Sequence, residues 1–373
     1  MTSRKINLLI IGNFPSHPST EAFLRKYLKI MDNLFDKIYL FSGDCPEHFK
    51  KRVSWNDTRS LVATDGALST LRLRVYYFIL REFKTLFLFR KLLKKEKIDT
   101  VVVLGYSLLG LIYIKTKRKK IILHKGGKPF VLSFNILKEL SKILFEYFPY
   151  WIADIIAVED KECILFQNLQ QFTQKVVIIP LFIEENLFSY KIPFSERKCR
   201  IGYVSSLVTE KGINEFLESI PEILKERNDL EIIIGGEGPL QSTVEKKCNK
   251  YINVKFLGWI PHENLSNYLN ELRLLVFPSY SEGVPNIVLE AMACGTPVLA
   301  TPVGGIPGII KDGDTGFLLK SNSSAHIAAK VIELINMPNL LGKVSTNAYV
   351  YVRENFSFEK TIAIWQKTIA KLV

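Results

Sequence analysis

The chain has 373 residues, of which 47% are hydrophobic and 12% aromatic, and a formal net charge of +13. This length exceeds what one hydrophobic core usually serves, so two domains of about 180 residues each are expected, and the apolar content excludes a disordered chain. The longest uncharged apolar run, residues 101–114, is shorter than the ~18 residues that a membrane-spanning helix needs.

The amino-terminal segment and the cysteines bear on the compartment. Met1–Lys5 is followed by the strand-length run Ile6–Ile11 without a small-residue cleavage site, so no signal peptide is expected. The five cysteines include no C-x-x-C pair, which predicts reduced thiols in a cytoplasm rather than disulfides or a zinc site.

The positive charge lies almost entirely in the first half. Residues 1–190 contain 30 Lys and Arg against 18 Asp and Glu, whereas the rest contains 20 against 19. This excess of positive charge predicts an anionic binding partner for the first half, and either nucleic acid or an anionic membrane would match it. Aromatic residues interleave the basic ones in Leu71–Lys95, which favours peripheral contact with the inner face of a membrane over nucleic acid.

The helical periodicity of Leu71–Lys95 supports the predicted membrane contact. At 3.6 residues per turn, one arc holds basic side chains opposite an aromatic and leucine-rich remainder. A helix packed on a sheet with a merely solvated basic face remains the alternative. The basic residues of the arc are Arg74, Arg81, Lys84, Lys91 and Lys95.

Continuous apolar runs predict buried parallel strands in the first half. They are Ile6–Gly12, Lys37–Ser42, Thr100–Leu104, Ile121–Leu123 and Val176–Pro180, with a long helical region over Ala67–Lys97. Ligands of such sheets bind beyond the carboxyl ends of the strands. Gly12 and Asn13 form a tight turn at that edge, and His17 in the same loop is a candidate acceptor contact. His124 follows a strand there; a histidine without a role is the competing interpretation for both His17 and His124.

The polar stretch Ser189–Arg200 predicts a domain boundary, with domains over 1–188 and 200–355. The strands predicted after it are Ile201–Ser205, Leu230–Gly238, Val254–Trp259, Leu272–Pro278 and Pro297–Val303, and a final helix is expected within 356–373.

Ser281–Gly305 (SEGVPNIVLEAMACGTPVLATPVGG) has an acid on either side of a predicted helix start. Asn286 is a candidate cap for a helix whose first turn follows Pro285, so Glu282 lies in the loop and Glu290 one turn inside the helix. Backbone N–H groups and the helix dipole together receive phosphates at such a start, and a phosphate beside carboxylates describes a nucleotide sugar. The residues expected around the donor are Gly283, Val284, Pro285, Asn286, Ile287 and Val288.

This stretch resembles the E-x7-E signature and the following A-M-A-x-G-x-P-V run of the retaining glycosyltransferases called GT4. The resemblance implies the GT-B fold: an α/β protein with two Rossmann-like domains facing across a cleft, the donor in the second and the acceptor in the first. It puts Glu282 near hydroxyl groups of the donor sugar, Glu290 on the ribose and His124 facing the donor sugar. It also implies that the terminal helix crosses back to the first domain.

Other segments extend the resemblance. The run S-S-L-V-T-E-K-G-I resembles the family's G-R-L-x-x-x-K-G, whose Arg and Lys grip the donor diphosphate; Lys211 is retained, whereas Ser206 stands where the Arg is expected. Gly236 belongs to a G-x-G-P turn. Trp259 and Ile260 fall where the family holds the nucleobase through backbone groups. The segment Trp151–Glu159 (WIADIIAVE) resembles the family's A-D-x-I-I-A-V-S run, a short strand followed by a helix.

The implied reaction is transfer of a sugar from a nucleoside diphosphate to a hydroxyl of a lipid-linked or polysaccharide acceptor, with retained anomeric configuration. Glu282, Lys211 and His124 are the candidate catalytic residues. No nucleophile for a double displacement is identified, which favours front-face substitution with the departing phosphate oxygen as the base.

No metal or other cofactor is expected, because Asp312-Gly313-Asp314 is typical of a turn and Lys211, the helix dipole and backbone amides neutralise the diphosphate. Three alternatives stay open: a nucleotide-sugar-binding protein with weak or no transferase activity, a nucleotide-sugar epimerase, and transfer to a soluble sugar.

Overall fold

The structure, a computed structural model, describes residues 7–11, 18–42, 45, 49–51, 53–57, 71–104, 108–125 and 147–372. The chain forms two compact units. The first comprises Met1–Val158, Gln167–Ile179 and Ile362–Val373, and the second comprises Glu159–Phe166 and Pro180–Thr361. The domain limits predicted from the sequence, at 188, 200 and 355, stay predictions.

The described part of the first unit contains a parallel sheet in the order β3-β2-β1-β4-β5-β6-β7. Its strands are apolar on both faces because helices cover both sides of such sheets. The strands are β1 (Asn7–Ile11), β2 (Lys37–Ser42), β3 (Val53–Asp57), β4 (Thr100–Val103), β5 (Lys120–Lys125), β6 (Ile155–Val158) and β7 (Val176–Ile178). The helices are α1 (Pro18–Leu34), α2 (Leu71–Lys95), α3 (Leu108–Thr116) and α4 (Phe148–Ile152), with a 3-10 turn over Gln170–Lys175.

The second unit has a parallel sheet in the order β10-β9-β8-β11-β12-β13. The strands are β8 (Arg200–Val204), β9 (Glu231–Gly235), β10 (Val254–Gly258), β11 (Leu274–Phe277), β12 (Val298–Ala300) and β13 (Phe317–Leu318). The helices are α5 (Glu162–Phe166), α6 (Ile213–Glu226), α7 (Gln241–Cys248), α8 (His262–Glu271), α9 (Asn286–Ala293), α10 (Ile306–Ile309), α11 (Ser324–Ile335) and α12 (Pro338–Asn355), and α13 (Phe358–Ala370) contributes to both units. Short 3-10 turns cover Phe194–Glu196 and Thr209–Lys211.

The strand order positions the site. In the second sheet β9 lies on one side of β8 and β11 on the other, with Leu274 beside Ile201, so the chain reverses its direction of winding between β8 and β11. Loops that leave the carboxyl ends of two such strands diverge to opposite faces of the sheet and leave a crevice where ligands bind. The loop after β8 leads to Lys211 and the loop after β11 leads to Glu282.

Helix α2 corrects one detail of the sequence prediction. Lys84, Lys91 and Lys95 are exposed as expected, but the aromatic residues do not all lie opposite them. Phe89 is buried, whereas Phe83 and Phe87 are 59% and 69% exposed, on the same side as the lysines. Within the described part of the chain, no helix combines the length and the apolar character needed to cross a bilayer.

Two further predictions need correction. Trp151 and Ile152 end α4 instead of beginning a strand, and β6 starts only at Ile155. Asn286 is the first residue of α9 and not its cap, because the chain is still extended at Pro285, with φ −75° and ψ 119°.

A buried arginine joins several segments of the second unit. The guanidinium of Arg197 donates to the carbonyl oxygens of Ile192 (3.1 Å), Leu272 (2.8 Å) and Cys294 (2.7 Å) and to Oγ1 of Thr296 (3.0 Å). Its burial lowers its pKa to about 10, still well above neutrality. These bonds connect the entry to β8 with the end of α8 and the loop after α9, so the charge is compensated by directed hydrogen bonds.

We expect Arg197→Met to lower the free energy of unfolding by about 3 kcal/mol or more, because three buried acceptors and one half-buried acceptor lose their donor. Urea unfolding followed by circular dichroism measures this. Arg353→Met, which removes an exposed guanidinium, is the control and should stay close to the wild type. Equal stability of the two variants would show that the Arg197 bonds contribute no net stability.

Candidate functional site

The loops that follow β8 and β11 are held against each other by backbone contacts. The N–H of Tyr280 donates to the carbonyl of Glu210 (2.9 Å), and the hydroxyl of Ser279 donates to the same carbonyl (3.2 Å). Gly212 has φ +70°, and a Cβ there would lie 2.0 Å from the carbonyl oxygen of Pro278. Only glycine tolerates both the backbone angle and this approach.

Lys211 and Glu282 form an ion pair across these loops, with 2.6 Å between Nζ and Oε1. Their side chains are 25% and 9% exposed. Lys211 directly precedes Gly212, the residue before α6, where a positive charge opposes the helix dipole, and Glu282 is the anion that compensates this charge. Gly304 supports the loop from the other side: its φ is +58°, and a Cβ there would lie 2.0 Å from the Glu282 carbonyl.

The backbone N–H groups that were predicted to receive a phosphate at the start of α9 already have partners in two cases. The N–H of Val288 donates to the carbonyl of Pro285 (3.2 Å), and the N–H of Val284 lies at the carboxyl group of Glu159. Gly283 is half-buried beside Glu282, and the N–H of Gly305 donates to its carbonyl (2.7 Å). Asn286 and Ile287 are half-buried in the first turn of the helix.

Glu290 lies inside α9, as predicted, and is 3% exposed. Its Oε1 is 3.0 Å from Nε2 of His262, the first residue of α8. The ring of Phe188 packs on the imidazole with 5.0 Å between centroids and a 64° tilt. The sequence prediction missed His262, although the residue directly follows Ile260-Pro261, where the nucleobase contact was expected.

The other donor candidates of the second unit lie around the ends of β8, β9 and β10. Gly236 has φ +138°, its N–H donates to the Gly258 carbonyl (2.7 Å), and a Cβ there would lie 1.9 Å from the Ser205 carbonyl. Ser206 is exposed on the adjacent turn. Trp259 is 41% exposed and Ile260 is 7% exposed, so the Trp259 side chain is open to a ligand and the Ile260 side chain is not.

His124 belongs to the first unit and lies within β5. It is 6% exposed, and burial lowers its pKa to about 4, so the ring is neutral. The ring packs against Tyr27 (5.3 Å) and Trp365 (6.1 Å), and neither ring nitrogen has a hydrogen-bond partner among the described residues. Its catalytic role stays a prediction. Gly12, Asn13 and His17 lie outside the described residues.

Asp312-Gly313-Asp314 forms a turn in this structure, as the sequence predicted. Gly313 has φ +76°, Asp312 accepts from the N–H of Leu318 (2.9 Å), and Asp314 accepts from the side chain of Asn347 (2.8 Å). Across the residues that the structure describes, no group of three or more His, Cys, Asp and Glu side chains is arranged to hold a metal ion.

Glu159 is a second residue that the sequence prediction missed. It directly follows β6, is 5% exposed, and burial raises its pKa to about 8, partly offset by the N–H of Val284. Cys163, one turn further on, has its pKa raised to about 11 by burial and by Glu159. The carboxyl group of Glu159 is therefore neutral at neutral pH and touches the loop between Glu282 and α9.

Comparisons with known proteins agree with this geometry. Residues 185–351 match the family model described as Glycosyl transferases group 1. An uncharacterized glycosyltransferase of Methanocaldococcus jannaschii is 26% identical, with 99% of this chain and 100% of that protein aligned. The capsular polysaccharide biosynthesis glycosyltransferase CapM of Staphylococcus aureus is 27% identical over 65% of each chain. The Anabaena protein HepE in complex with UDP and glucose superposes with a TM-score of 0.70 at 16% identity, covering 98% of both chains. The predicted GT-B fold is confirmed.

Glu159 makes the stability of the protein depend on pH. Between its ordinary pKa of 4.5 and its folded pKa of about 8, the folded chain keeps a proton that the unfolded chain has released. The free energy of unfolding should therefore be highest below the lower value and fall as pH rises through the higher one, by up to about 1.4 kcal/mol per pH unit. Glu159→Gln should flatten this dependence.

Urea unfolding at pH values of about 5, 6.5 and 8 measures the effect. The exposed Glu359→Gln is the matched control and should keep the wild-type slope. The same slope in Glu159→Gln would contradict the assignment of a neutral buried carboxyl.

Proposed function

We propose that this chain, a glycosyltransferase whose residues 185–351 match the Glycosyl transferases group 1 model, moves a sugar from a nucleoside diphosphate to a hydroxyl group of an acceptor. The reaction proceeds with retention at the anomeric carbon and without a metal ion. The observation that carries the proposal is the Lys211–Glu282 ion pair at the crevice between β8 and β11. A cation for a diphosphate and an acceptor for sugar hydroxyls lie there within one hydrogen bond of each other.

The ion pair is an exchangeable contact. The incoming diphosphate replaces Glu282 as the anion of Lys211, and Glu282 turns to the hydroxyl groups of the sugar. Lys211 then stabilises the negative charge that grows on the departing diphosphate, which is where electrostatic catalysis is most effective. Glu290 receives hydroxyl groups of the ribose from within α9.

The chemical step is front-face substitution. The bond between the anomeric carbon and the diphosphate oxygen breaks, and the acceptor oxygen bonds to the same face of that carbon. The acceptor proton passes to the departing phosphate oxygen, so no protein nucleophile is required. Ser206 offers one hydrogen bond where the family has a bidentate arginine, so Lys211 provides most of the positive charge at the diphosphate.

The relatives support the substrate classes. HepE was solved with UDP and glucose, and the name of CapM refers to capsular polysaccharide biosynthesis. A nucleotide sugar is therefore the donor class, and a growing glycan or its lipid-linked precursor is the acceptor class.

Helix α2 is the surface that brings the enzyme to a lipid-linked acceptor, on the cytoplasmic face of a membrane. Phe83 and Phe87 are 59% and 69% exposed and lie one turn apart. At 100° per residue, five exposed basic side chains fall within the same arc of about 140° as these two rings. Cations for anionic headgroups and rings for the interface together make a membrane-binding face. The basic residues are Lys84, Arg90, Lys91, Lys94 and Lys95.

Substitution of the ion pair tests the transfer activity. We expect Lys211→Met to lower kcat/KM for sugar transfer by about 100-fold, because one electrostatic contact to the leaving group is lost. Glu282→Gln should lower kcat while it leaves the affinity for the free nucleoside diphosphate within about threefold, since Glu282 contacts the sugar. Steady-state kinetics and calorimetric titration with UDP, GDP and ADP supply the values.

Lys330→Met is the matched control, because Lys330 also forms an ion pair, with Glu333 on α11 (2.8 Å). Full transfer activity in Lys211→Met would refute the diphosphate assignment. Conversion of the nucleotide sugar into its epimer in the absence of any acceptor would indicate an epimerase instead of a transferase, and binding without turnover would indicate a donor-binding protein.

Flotation with vesicles tests the membrane face. The wild type should float with vesicles that contain about 30% phosphatidylglycerol and lose this binding at ~0.5 M salt. The double variant Phe83→Ser/Phe87→Ser should bind at least about tenfold more weakly, because two rings no longer enter the interface. Ile252→Ser removes a 96% exposed apolar side chain of the second unit and should bind like the wild type. Unchanged flotation of the double variant would contradict the role of the two rings, and a wild type that does not float would favour a soluble acceptor.

A further inference from the structure

His262 and Glu290 form a mostly buried, hydrogen-bonded pair. Nε2 of His262 is 3.0 Å from Oε1 of Glu290, and their side chains are 18% and 4% exposed. His262 begins α8 directly after Pro261, whose extended backbone (φ −54°, ψ 138°) sets the direction of the helix start. Phe188 packs edge-on against the imidazole at 5.0 Å. The ring is thus held by the helix on one side and by an aromatic contact on the other.

The chemistry of the pair determines the tautomer. In the proposed function an ionised Glu290 accepts hydrogen bonds from ribose hydroxyl groups, and the His262 nitrogen that faces Oε1 then carries the proton. A glutamate has three side-chain torsions, and recognition of a hydroxyl group depends on where its lone pairs point. A donor fixed at Oε1 sets the plane of the carboxylate and so the direction in which it accepts from a ligand.

We infer that His262 is a positioning residue that aligns Glu290 for ribose and makes the site prefer ribonucleotides over deoxyribonucleotides. The inference rests on the proposed function, in which Glu290 receives ribose hydroxyl groups. His262 itself acts only through Glu290. A hydroxyl recognised by an aligned buried carboxylate discriminates strongly against a ligand that lacks it, because that ligand forfeits a charge-assisted hydrogen bond inside the site.

Two variants separate the hydrogen bond from the packing. His262→Phe keeps a ring against Phe188 and removes the donor, whereas His262→Gln keeps a donor and removes the ring. Calorimetric titration gives the affinities for UDP and GDP, each beside its 2′,3′-dideoxy counterpart. The wild type should bind the ribonucleotide at least about tenfold more tightly than the dideoxy form.

His262→Phe should weaken ribonucleotide binding about tenfold and leave dideoxynucleotide binding within about twofold, so the preference collapses. His262→Gln should recover a substantial part of that preference. In transfer assays the KM for the donor should rise in His262→Phe while kcat is retained. His326→Phe, which changes an imidazole on α11 that accepts the Lys320 N–H, is the matched control and should behave as the wild type.

The results of these titrations distinguish failure of the inference about His262 from failure of the proposed function. Equal weakening of both ligands by His262→Phe would reveal a structural role and overturn the inference, as would an unchanged preference. A wild type that binds UDP or GDP without preferring the ribose form would overturn the inference while the proposed function stands. A wild type that binds none of the nucleotides would remove the proposed function, and the inference with it.

Discussion

The close approach of two loops at the carboxyl edge of the second sheet is the constraint on which the site depends. Strands β8 and β11 are parallel neighbours in the sheet, but the loops that follow them lie beyond the sheet and are not joined by its hydrogen-bond ladder. The carbonyl of Glu210 takes over that function by accepting from Ser279 and Tyr280. Gly212 makes the approach sterically feasible, because any side chain there would occupy the place of a backbone oxygen.

This approach of the loops brings Lys211, proposed to bind the diphosphate, next to Glu282, proposed to bind the sugar. Lys211 and Glu282 are both largely withdrawn from water, and each would be costly to hold there alone. Pairing stabilises both charges when no ligand is bound, and under the proposed function a donor with a diphosphate and a hydroxyl-rich sugar would satisfy both when it enters. A ligand that carries only one of these groups would leave the other charge without a partner. Under this proposal, specificity for the complete donor is therefore a property of the pair.

The sequence predicted the features that depend on local pattern. Apolar runs identified most strands, and the spacing of Glu282 and Glu290 placed one acid in a loop and the other inside α9. It did not reveal contacts that the tertiary fold creates: His262 and Glu290 are 28 residues apart, and Glu159 meets Val284 from a distant segment. The cap of α9 was assigned to Asn286 because propensity favours it, but Pro285 is the last extended residue, so the helix begins one residue earlier than predicted.

The distribution of charge follows from how each part of the chain uses its ions. In the second half, where Lys and Arg nearly balance Asp and Glu, cations such as Lys211 and Lys330 are paired with carboxylates, and Arg197 is bound by carbonyls. The excess of the first half includes the exposed face of α2, beside two aromatic rings that a globular core would normally take in. Exposed rings raise the free energy of the folded chain in water, and the lysines around them keep such a surface soluble. The net charge of +13 is thus concentrated in the first half of the chain, and part of it lies on the exposed face of α2.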